Sequence, residues 1–411
     1  MTIEFPQHAP HEAFGLRADE LVIGGVTVSE LAARVGRTPF YAYDREAITR
    51  RIATLRAVLP RGVELHYAIK ANPLPDLVRH VAPLVDGLDV ASGLELTTAL
   101  TTAVPRTDIS FAGPGKSRAE LAQAVAAGIV LNLESERELR VLVEIARETN
   151  TRPRVAIRVN PDFELKTSGM KMSGGPKQFG IDAERVPEVL RSLASLPVEF
   201  MGFHIFSGSQ NLRADAIVEA QMKAVELAKQ LAAHAPSPVK ILNIGGGFGI
   251  PYFPGEKALD VAPIAAALVM RLAEVRAAMP TAKVVIELGR YIVGEAGIYV
   301  CRVVDRKISR GQVFLVTDGG LHHHLAASGN FGQVLRKNYP VVVANKVRGG
   351  ERETASVVGP LCTPLDLLAD RMELDQAREG DLIAVFQSGA YGYTASPLGF
   401  LSHPEPVEIL L

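Results

Sequence analysis

ELHYAIKANP, residues 64–73, sets a short apolar run against a lysine and then a proline. The run predicts a buried parallel strand ending at Lys70. Seven further runs share its texture: GLDVA (87–91), DISFA (108–112), IVLNL (129–133), RVAIRV (154–159), EFMGFHIF (199–206), VKILNI (239–244) and KVVIEL (283–288). Between them lie longer runs rich in Ala, Leu, Glu and Arg, the pattern of amphipathic helices. SRAELAQAVAAG (117–128) is one such crossover, with Ser117 placed as N-cap and Gly128 as C-cap. Eight strands, each followed by a helical crossover, predict an α/β chain built on a (β/α)8 TIM barrel.

Past residue 292 the texture changes. GIYVCRVVDRKI, GQVFLVTDG, YPVVVANKV, ETASVVG and DLIAVFQSGAY are β-rich and have few helical periods between them. They predict a C-terminal, mostly antiparallel β domain. The expected division is a barrel over 45–291, with 1–44 and 292–411 forming the β domain. TPFYAYD (38–44) reads as a strand compatible with either.

The chain has 411 residues, 47% hydrophobic and 22% charged, enough apolar surface for a large core. Lys and Arg number 44 against 45 Asp and Glu, so a broad basic face for nucleic acid is not expected. Only Cys301 and Cys362 occur, too few for a disulfide scaffold and in keeping with a reducing compartment. No signal peptide and no membrane-spanning run is read, so a cytoplasmic protein with no membrane partner is expected.

In a barrel, chemistry gathers at the C-terminal ends of the strands. Lys70 ends strand one, Asp89 and Ser92 follow strand two, and Arg158 ends strand five. His204 ends strand six, Gly245, Gly246 and Gly247 end strand seven, and Glu287 with Arg290 ends strand eight. A lysine closing an apolar strand is expected to be desolvated, and a neutral amine forms Schiff bases with aldehydes; the plain alternative is a lysine snorkelling to water. The glycine run offers consecutive N–H groups suited to a phosphate, or simply a tight turn. Glu287 could hold a proton on a heteroaromatic nitrogen, or pair with Arg290. His204 could stack on a flat ring or be a satisfied core histidine. His322, His323 and His324 invite a metal, but neighbouring side chains on a strand or helix diverge, and no metal site is expected.

Together these segments resemble the fold-type III pyridoxal-phosphate decarboxylases, the diaminopimelate/ornithine decarboxylase family with an alanine-racemase-like barrel. The resemblance rests on HYAIKANP (66–73), DVASGLEL (89–96), GFHIFSGSQ (202–210), GGGFG (245–249), ELGR (287–290), DGG (318–320), GPLC (359–362) and GAYG (389–392), in order along nearly the whole chain. It implies pyridoxal 5'-phosphate, bonded to Lys70, with His204 against its ring and Glu287 at the pyridine nitrogen. Ser207, Gly245, Gly246, Gly247, Arg290 and Tyr391 would surround the phosphate, and Gly289 would also bind the cofactor. Asp89, Ser92, Glu95 and Arg158 would line the ring. Arg290, Cys362, Thr363 and Tyr391 would meet substrate. Cys362 would reach in from the second subunit of a homodimer with shared active sites, and a monomer would be nearly inactive. The implied activity is decarboxylation of an amino acid at Cα. A related racemase, which keeps an arginine where Glu287 stands, and a non-catalytic cofactor carrier, which lacks the β domain, are the rivals.

The chain departs from its relatives at the substrate end. Diaminopimelate and ornithine decarboxylases carry an acid after the cysteine, where this chain has Thr363. Diaminopimelate enzymes also carry an arginine beyond DGG, at a position that falls on Ala326; Arg336 or Lys337 could stand in for it. HHHLAASGNFGQ and GPLCTPLD are more similar to a side branch that includes carrier-protein-linked amino acid decarboxylases and exopolysaccharide- and exosortase-associated decarboxylases. The resemblance therefore implies a substrate without a free distal ammonium, either a free small-molecule amino acid or one tethered to a carrier protein. Diaminopimelate is the alternative.

Overall fold

The computed structural model describes residues 8–10, 13–163, 170–171, 174–331, 333, 336–348 and 350–411. Contacts divide it into two compact units. One consists of Arg51–Gly249 and Leu259–Gly289; the other contains the described residues up to Arg50, then Ile250–Ala258 and Arg290–Leu411.

The first unit is a closed parallel barrel of β1 (Val63–Ala68), β2 (Gly87–Val90), β3 (Ile109–Phe111), β4 (Val130–Leu133), β5 (Arg154–Asn160), β6 (Glu199–His204), β7 (Ile241–Gly246) and β8 (Lys283–Leu288). Each strand pairs with the next, and β8 returns to β1 with Val284 opposite Val63. The strands read as continuous apolar runs because both faces are covered: Val284, Val285, Ile286 and Leu288 of β8 are all buried. Helices fill the seven crossovers, from Pro75–Val81 after β1 to Ala262–Ala278 before β8. Three of their starts are set by serines. Ser92, Ser117 and Ser135 each accept the N–H three residues on, and Glu120 returns the bond to Ser117. Gly128 ends its helix at φ +69°, as its sequence position predicts.

The second unit is a mostly antiparallel sheet around β9 (Gly297–Ser309). The first half of β9 pairs with Phe40–Tyr43 and Leu382–Val385, the second half with Gln312–Thr317. TPFYAYD thus contributes its strand to this sheet. Two pairings are parallel: Gln312–Thr317 with Arg352–Val358, and Val407–Leu410 with Phe40–Tyr43. Leu367–Asp375 adds an antiparallel strand that the sequence pattern did not announce, because Asp370, Arg371 and Glu373 interrupt its apolar residues. The core of this sheet gathers Phe40, Ala42, Ile298, Val300, Leu382, Ala384 and Phe386.

Candidate active site

Lys70 sits in a single helical turn, Ile69–Ala71, immediately beyond β1. Tyr67 Oη donates to the Asn72 carbonyl (2.9 Å), which ties the turn back to the strand. Gly289, at the end of β8, packs against this turn; a Cβ there would lie 2.7 Å from Ala71 Cβ. The expected desolvation of Lys70 is not found. Its neighbours Ile69 and Ala71 are buried, but Lys70 itself is exposed, because the turn carries it past the strand into the barrel mouth. Its Nζ lies 5.7 Å from the centre of the Phe206 ring.

Glu287 is buried, and its Oε2 receives two donors: His204 Nε2 at 3.1 Å and Asn243 Nδ2 at 3.0 Å. Burial pushes this carboxyl up, but the charge and hydrogen bond of His204, with Lys70 and Arg158 nearby, hold it well below the usual carboxylate range. The Glu287–Arg290 ion pair raised by the sequence is replaced by this arrangement: Arg290 Nη1 instead donates to Tyr252 Oη (2.8 Å). Toward the carboxylate the His204 Nε2 donates, and the buried Nδ1 has no partner.

Asn243 connects two predicted features. Its Oδ1 accepts the Gly245 N–H at 2.8 Å, while its Nδ2 holds Glu287. One of the three N–H groups of the glycine run is therefore already committed. The run must be glycine for a second reason, close approach. A Cβ on Gly246 would lie 2.2 Å from the Glu287 carbonyl oxygen, and one on Gly247, at φ +70°, 2.1 Å from that of Gly208.

Ser92 and Glu95 act first on the backbone. Ser92 caps Gly93–Ala99, and Glu95 Oε2 accepts the Ala91 N–H at 2.7 Å. Burial raises the Glu95 carboxyl against that hydrogen bond and the charge of Lys70. Asp89 Oδ1 meets Ser110 Oγ (2.5 Å) and His66 Nδ1 (3.4 Å); its Oδ2 is buried and unpartnered. Arg158 Nη1 donates to Glu134 Oε1 (2.7 Å) and its guanidinium covers the Phe179 ring at 4.9 Å. Glu134 also accepts Gly113 N–H (2.5 Å) and Gly180 N–H (3.2 Å). Sequence reasoning passed over Asn243 and Glu134. The strand-end rule would have found Glu134, which directly follows β4.

In the β unit, the Arg290 guanidinium lies 4.6 Å from the centre of the Tyr391 ring and 5.3 Å from that of Tyr252. Cys362 and Thr363 occupy a separate loop. Cys362 is an exposed thiol, and Thr363 Oγ1 accepts the Leu365 N–H (3.3 Å). Asp366 anchors this loop, its two oxygens accepting Leu321 N–H (2.6 Å) and Leu361 N–H (2.8 Å). Arg336 is spent on structure: Nε on the Ser328 carbonyl (3.1 Å), Nη1 on Asn338 Oδ1 (2.7 Å) and Nη2 on the Leu367 carbonyl (2.9 Å). Ala326 is buried and Lys337 is exposed, 5.5 Å over the Phe253 ring.

The three histidines correct a premise. They lie in a turn, not in a strand or helix, and the rings of His322 and His323 approach to 3.6 Å. His323 bonds to the Pro404 carbonyl (3.0 Å) and His324 to Ser388 Oγ (2.9 Å). Burial depresses all three, to about 4, 3 and 3 along the chain, so they are neutral near pH 7. Among the described residues no group of three or more His, Cys, Asp or Glu could hold a metal ion.

These residues suit pyridoxal phosphate. They supply an exposed amine, an ionised carboxylate with one oxygen doubly held, a histidine with an unpartnered buried nitrogen, and a turn cleared of side chains.

Residues 45–294 match the family described as pyridoxal-dependent decarboxylase, pyridoxal binding domain. The chain is 39% identical over 379 residues to the L-glutamyl-[BtrI acyl-carrier protein] decarboxylase of Niallia circulans, covering 91% of this chain and 88% of the relative. It is 35% identical over 400 residues to the diaminopimelate decarboxylase of Aquifex aeolicus, covering 96% and 91%. Among solved structures, diaminopimelate decarboxylase from M. jannaschii in complex with L-lysine superposes with a TM-score of 0.87 at 26% identity, over 98% of this chain and 93% of that one. The chain belongs to the fold-type III pyridoxal-phosphate decarboxylases and is a pyridoxal-phosphate-dependent amino acid decarboxylase.

Proposed function

We propose that this enzyme removes CO2 from Cα of an amino acid that lacks a free distal ammonium, either free or tethered to a carrier protein. The observation that carries this is the make-up of the substrate end. Residue 363 is a neutral threonine whose hydroxyl already accepts a backbone N–H. A buried ammonium without a carboxylate is costly, on the order of 3–5 kcal/mol. Of the two cations that could stand in for the missing arginine, Arg336 has its guanidinium bonded to three protein acceptors and Lys337 is exposed over the Phe253 ring. The Niallia circulans relative, by its name, takes a glutamyl group on a carrier protein, a substrate with no distal charge of either sign.

When bound, pyridoxal phosphate supplies an aldehyde for the amine and a ring that accepts the electron pair left by departing CO2. Lys70, an exposed amine at the barrel mouth, would hold the cofactor through its aldehyde. Glu287, kept ionised, holds a proton on the pyridine nitrogen, and His204 and Asn243 fix that carboxylate. Arg158, held by Glu134, lines the ring with Asp89, Ser92 and Glu95. Ser207 and the glycine turn would hold the phosphate, with Arg290 and Tyr391 assigned to it by the family resemblance. Cys362 or Lys70 returns a proton to Cα. Cys362 comes from the second copy of a homodimer, in the cytoplasm, where its thiol stays reduced.

Diaminopimelate is the second reading, favoured by the 35% identity to the Aquifex aeolicus enzyme. CO2 release should be measured from free glutamate, diaminopimelate, ornithine and carrier-tethered glutamate. Turnover of free diaminopimelate with kcat/KM above about 10⁴ M⁻¹s⁻¹ would replace the first reading with the second. Mixing Lys70→Ala with Cys362→Ala protein tests the shared site: random reassortment restores about a quarter of the sites, and no recovery after proven subunit exchange rejects sharing.

A further inference from the structure

Beside the glycine turn lies a small polar pocket of about 20 Å³, lined in part by Ser207, Gly208, Gly246, Asn211 and Gln221. Asn211 is fixed at its wall. The Asn211 N–H donates to the Gly247 carbonyl (2.9 Å), its carbonyl accepts the Gly249 N–H (2.9 Å), and its Oδ1 accepts the Arg213 N–H (2.9 Å). That leaves Asn211 Nδ2, which is buried and has no partner. Gln221 projects from the helix Ala214–Ala232 and is 2% exposed, with both Oε1 and Nε2 unpartnered. Three amide atoms of two buried side chains that line this pocket are thus without a partner, a strongly unfavourable arrangement unless something polar meets them.

The size of the cavity selects the ligand. One water needs at least about 10–15 Å³ and two to four polar partners. About 20 Å³ is room enough for one water. We propose that Asn211 and Gln221 hold a single internal water that braces the glycine turn. The water accepts from Asn211 Nδ2 and bonds to the Gln221 amide, so Gly246 and the Ser207–Gly208 backbone rest on a filled, hydrogen-bonded support. The bracing role depends on the reading that this turn seats the cofactor phosphate; the water site itself does not.

The test is a crystal structure of the holoenzyme at about 1.5 Å resolution, where ordered water of this kind is expected within about 2.7–3.2 Å of both amides. A single peak there supports the site. An empty cavity, or amides turned to bond each other, overturns it. Gln221→Leu removes one partner and should abolish the peak. It should also speed loss of cofactor from diluted holoenzyme by about threefold to tenfold, followed by absorbance, while Gln221→Glu keeps the peak and the slow rate. If Gln221→Leu loses the water but releases cofactor at the wild-type rate, the bracing role is rejected. If the peak is present but the phosphate sits away from Gly246, the fault lies with the assignment of the phosphate seat and not with the water.

Discussion

Two lysines stand just beyond barrel strands, and they meet opposite fates. Lys70, after β1, is exposed at the mouth. Lys116, after β3, is 3% exposed, and its Nζ is bonded to the Gly113 carbonyl (2.7 Å) and to both oxygens of Glu138 (3.0 and 3.1 Å). Burial lowers the Lys116 ammonium against the charge of Glu138. The desolvated lysine that the sequence led us to expect at position 70 is therefore found at position 116, where every donor is occupied. Desolvation alone does not mark the lysine that does chemistry. What marks Lys70 is access, and the charges of Glu95 and Glu287 within its electrostatic reach.

The largest effects should come from exchanging these two. Lys70→Ala should abolish activity and the absorbance near ~420 nm expected of the lysine-bound cofactor, with an unchanged melting temperature. Lys116→Met strands Glu138 in the interior and should destabilise the fold by about 3–5 kcal/mol, while the folded fraction still binds cofactor. A stable, colourless Lys116→Met enzyme, or a coloured Lys70→Ala, would reverse the assignment.

The carboxylates repeat the contrast one step lower. Glu287→Gln should keep the cofactor yet slow decarboxylation by several decades, each about 1.4 kcal/mol of barrier. Glu138→Gln, at the partner of Lys116, should lower the melting temperature and leave the turnover of folded enzyme largely intact. Equal kcat losses in the two variants would erase the distinction between site and support.

β1 itself carries both kinds of group. Below Lys70 lies His66, buried between Asp89, which meets its Nδ1 at 3.4 Å, and Glu64, 3.9 Å from its Nε2; the charges of the two carboxylates and the Asp89 bond overcome burial and raise it to about 9. A raised folded-state value means the native chain binds the extra proton. The stabilisation is complete below about 6.5, the unfolded value, and fades as pH rises toward 9. Wild type should lose stability across that window, on the order of 3 kcal/mol at about 1.4 kcal/mol per unit. Denaturant midpoints of His66→Gln should be flat over the same range. A wild-type curve that rises with pH would contradict the charged histidine.

The barrel was legible in the sequence because its strands are buried on both faces and three of its helices begin at capping serines, so local pattern and tertiary environment agree. The strand-end rule picked out Lys70, Arg158, His204 and Glu287 as candidates for the same reason. It could not foresee that the turn after β1 would lift Lys70 into the open, since that depends on packing between Gly289 and Ala71. Nor could it find Asn243, an inward-facing amide inside an apolar strand whose two hydrogen bonds join residues of different strands. The histidine turn was misread because periodicity arguments assume a regular element, and residues 321–323 form a turn.

The smallest effect, and the one that bears most on substrate, is expected at Thr363. Its loop is held independently of its side chain, by Asp366 on Leu321 N–H and Leu361 N–H and by the Thr363 N–H on the Leu361 carbonyl (2.8 Å). The hydroxyl adds one bond, from Leu365 N–H, which a longer acid gives up cheaply at a half-exposed position. Thr363→Glu should therefore fold as wild type. If residue 363 faces the distal end of the substrate, the new carboxylate provides an ionic partner for an ammonium there, and such charge-assisted bonds are the stronger kind. kcat/KM for diaminopimelate or ornithine should rise by about tenfold, an increment of about 1.4 kcal/mol, with KM carrying most of the change. Turnover of a carrier-tethered substrate, which has no ammonium to meet the acid, should stay level or fall. A variant of wild-type stability that gains nothing toward either diamine would place residue 363 away from the distal group and remove the support that Thr363 gives to the proposed substrate class.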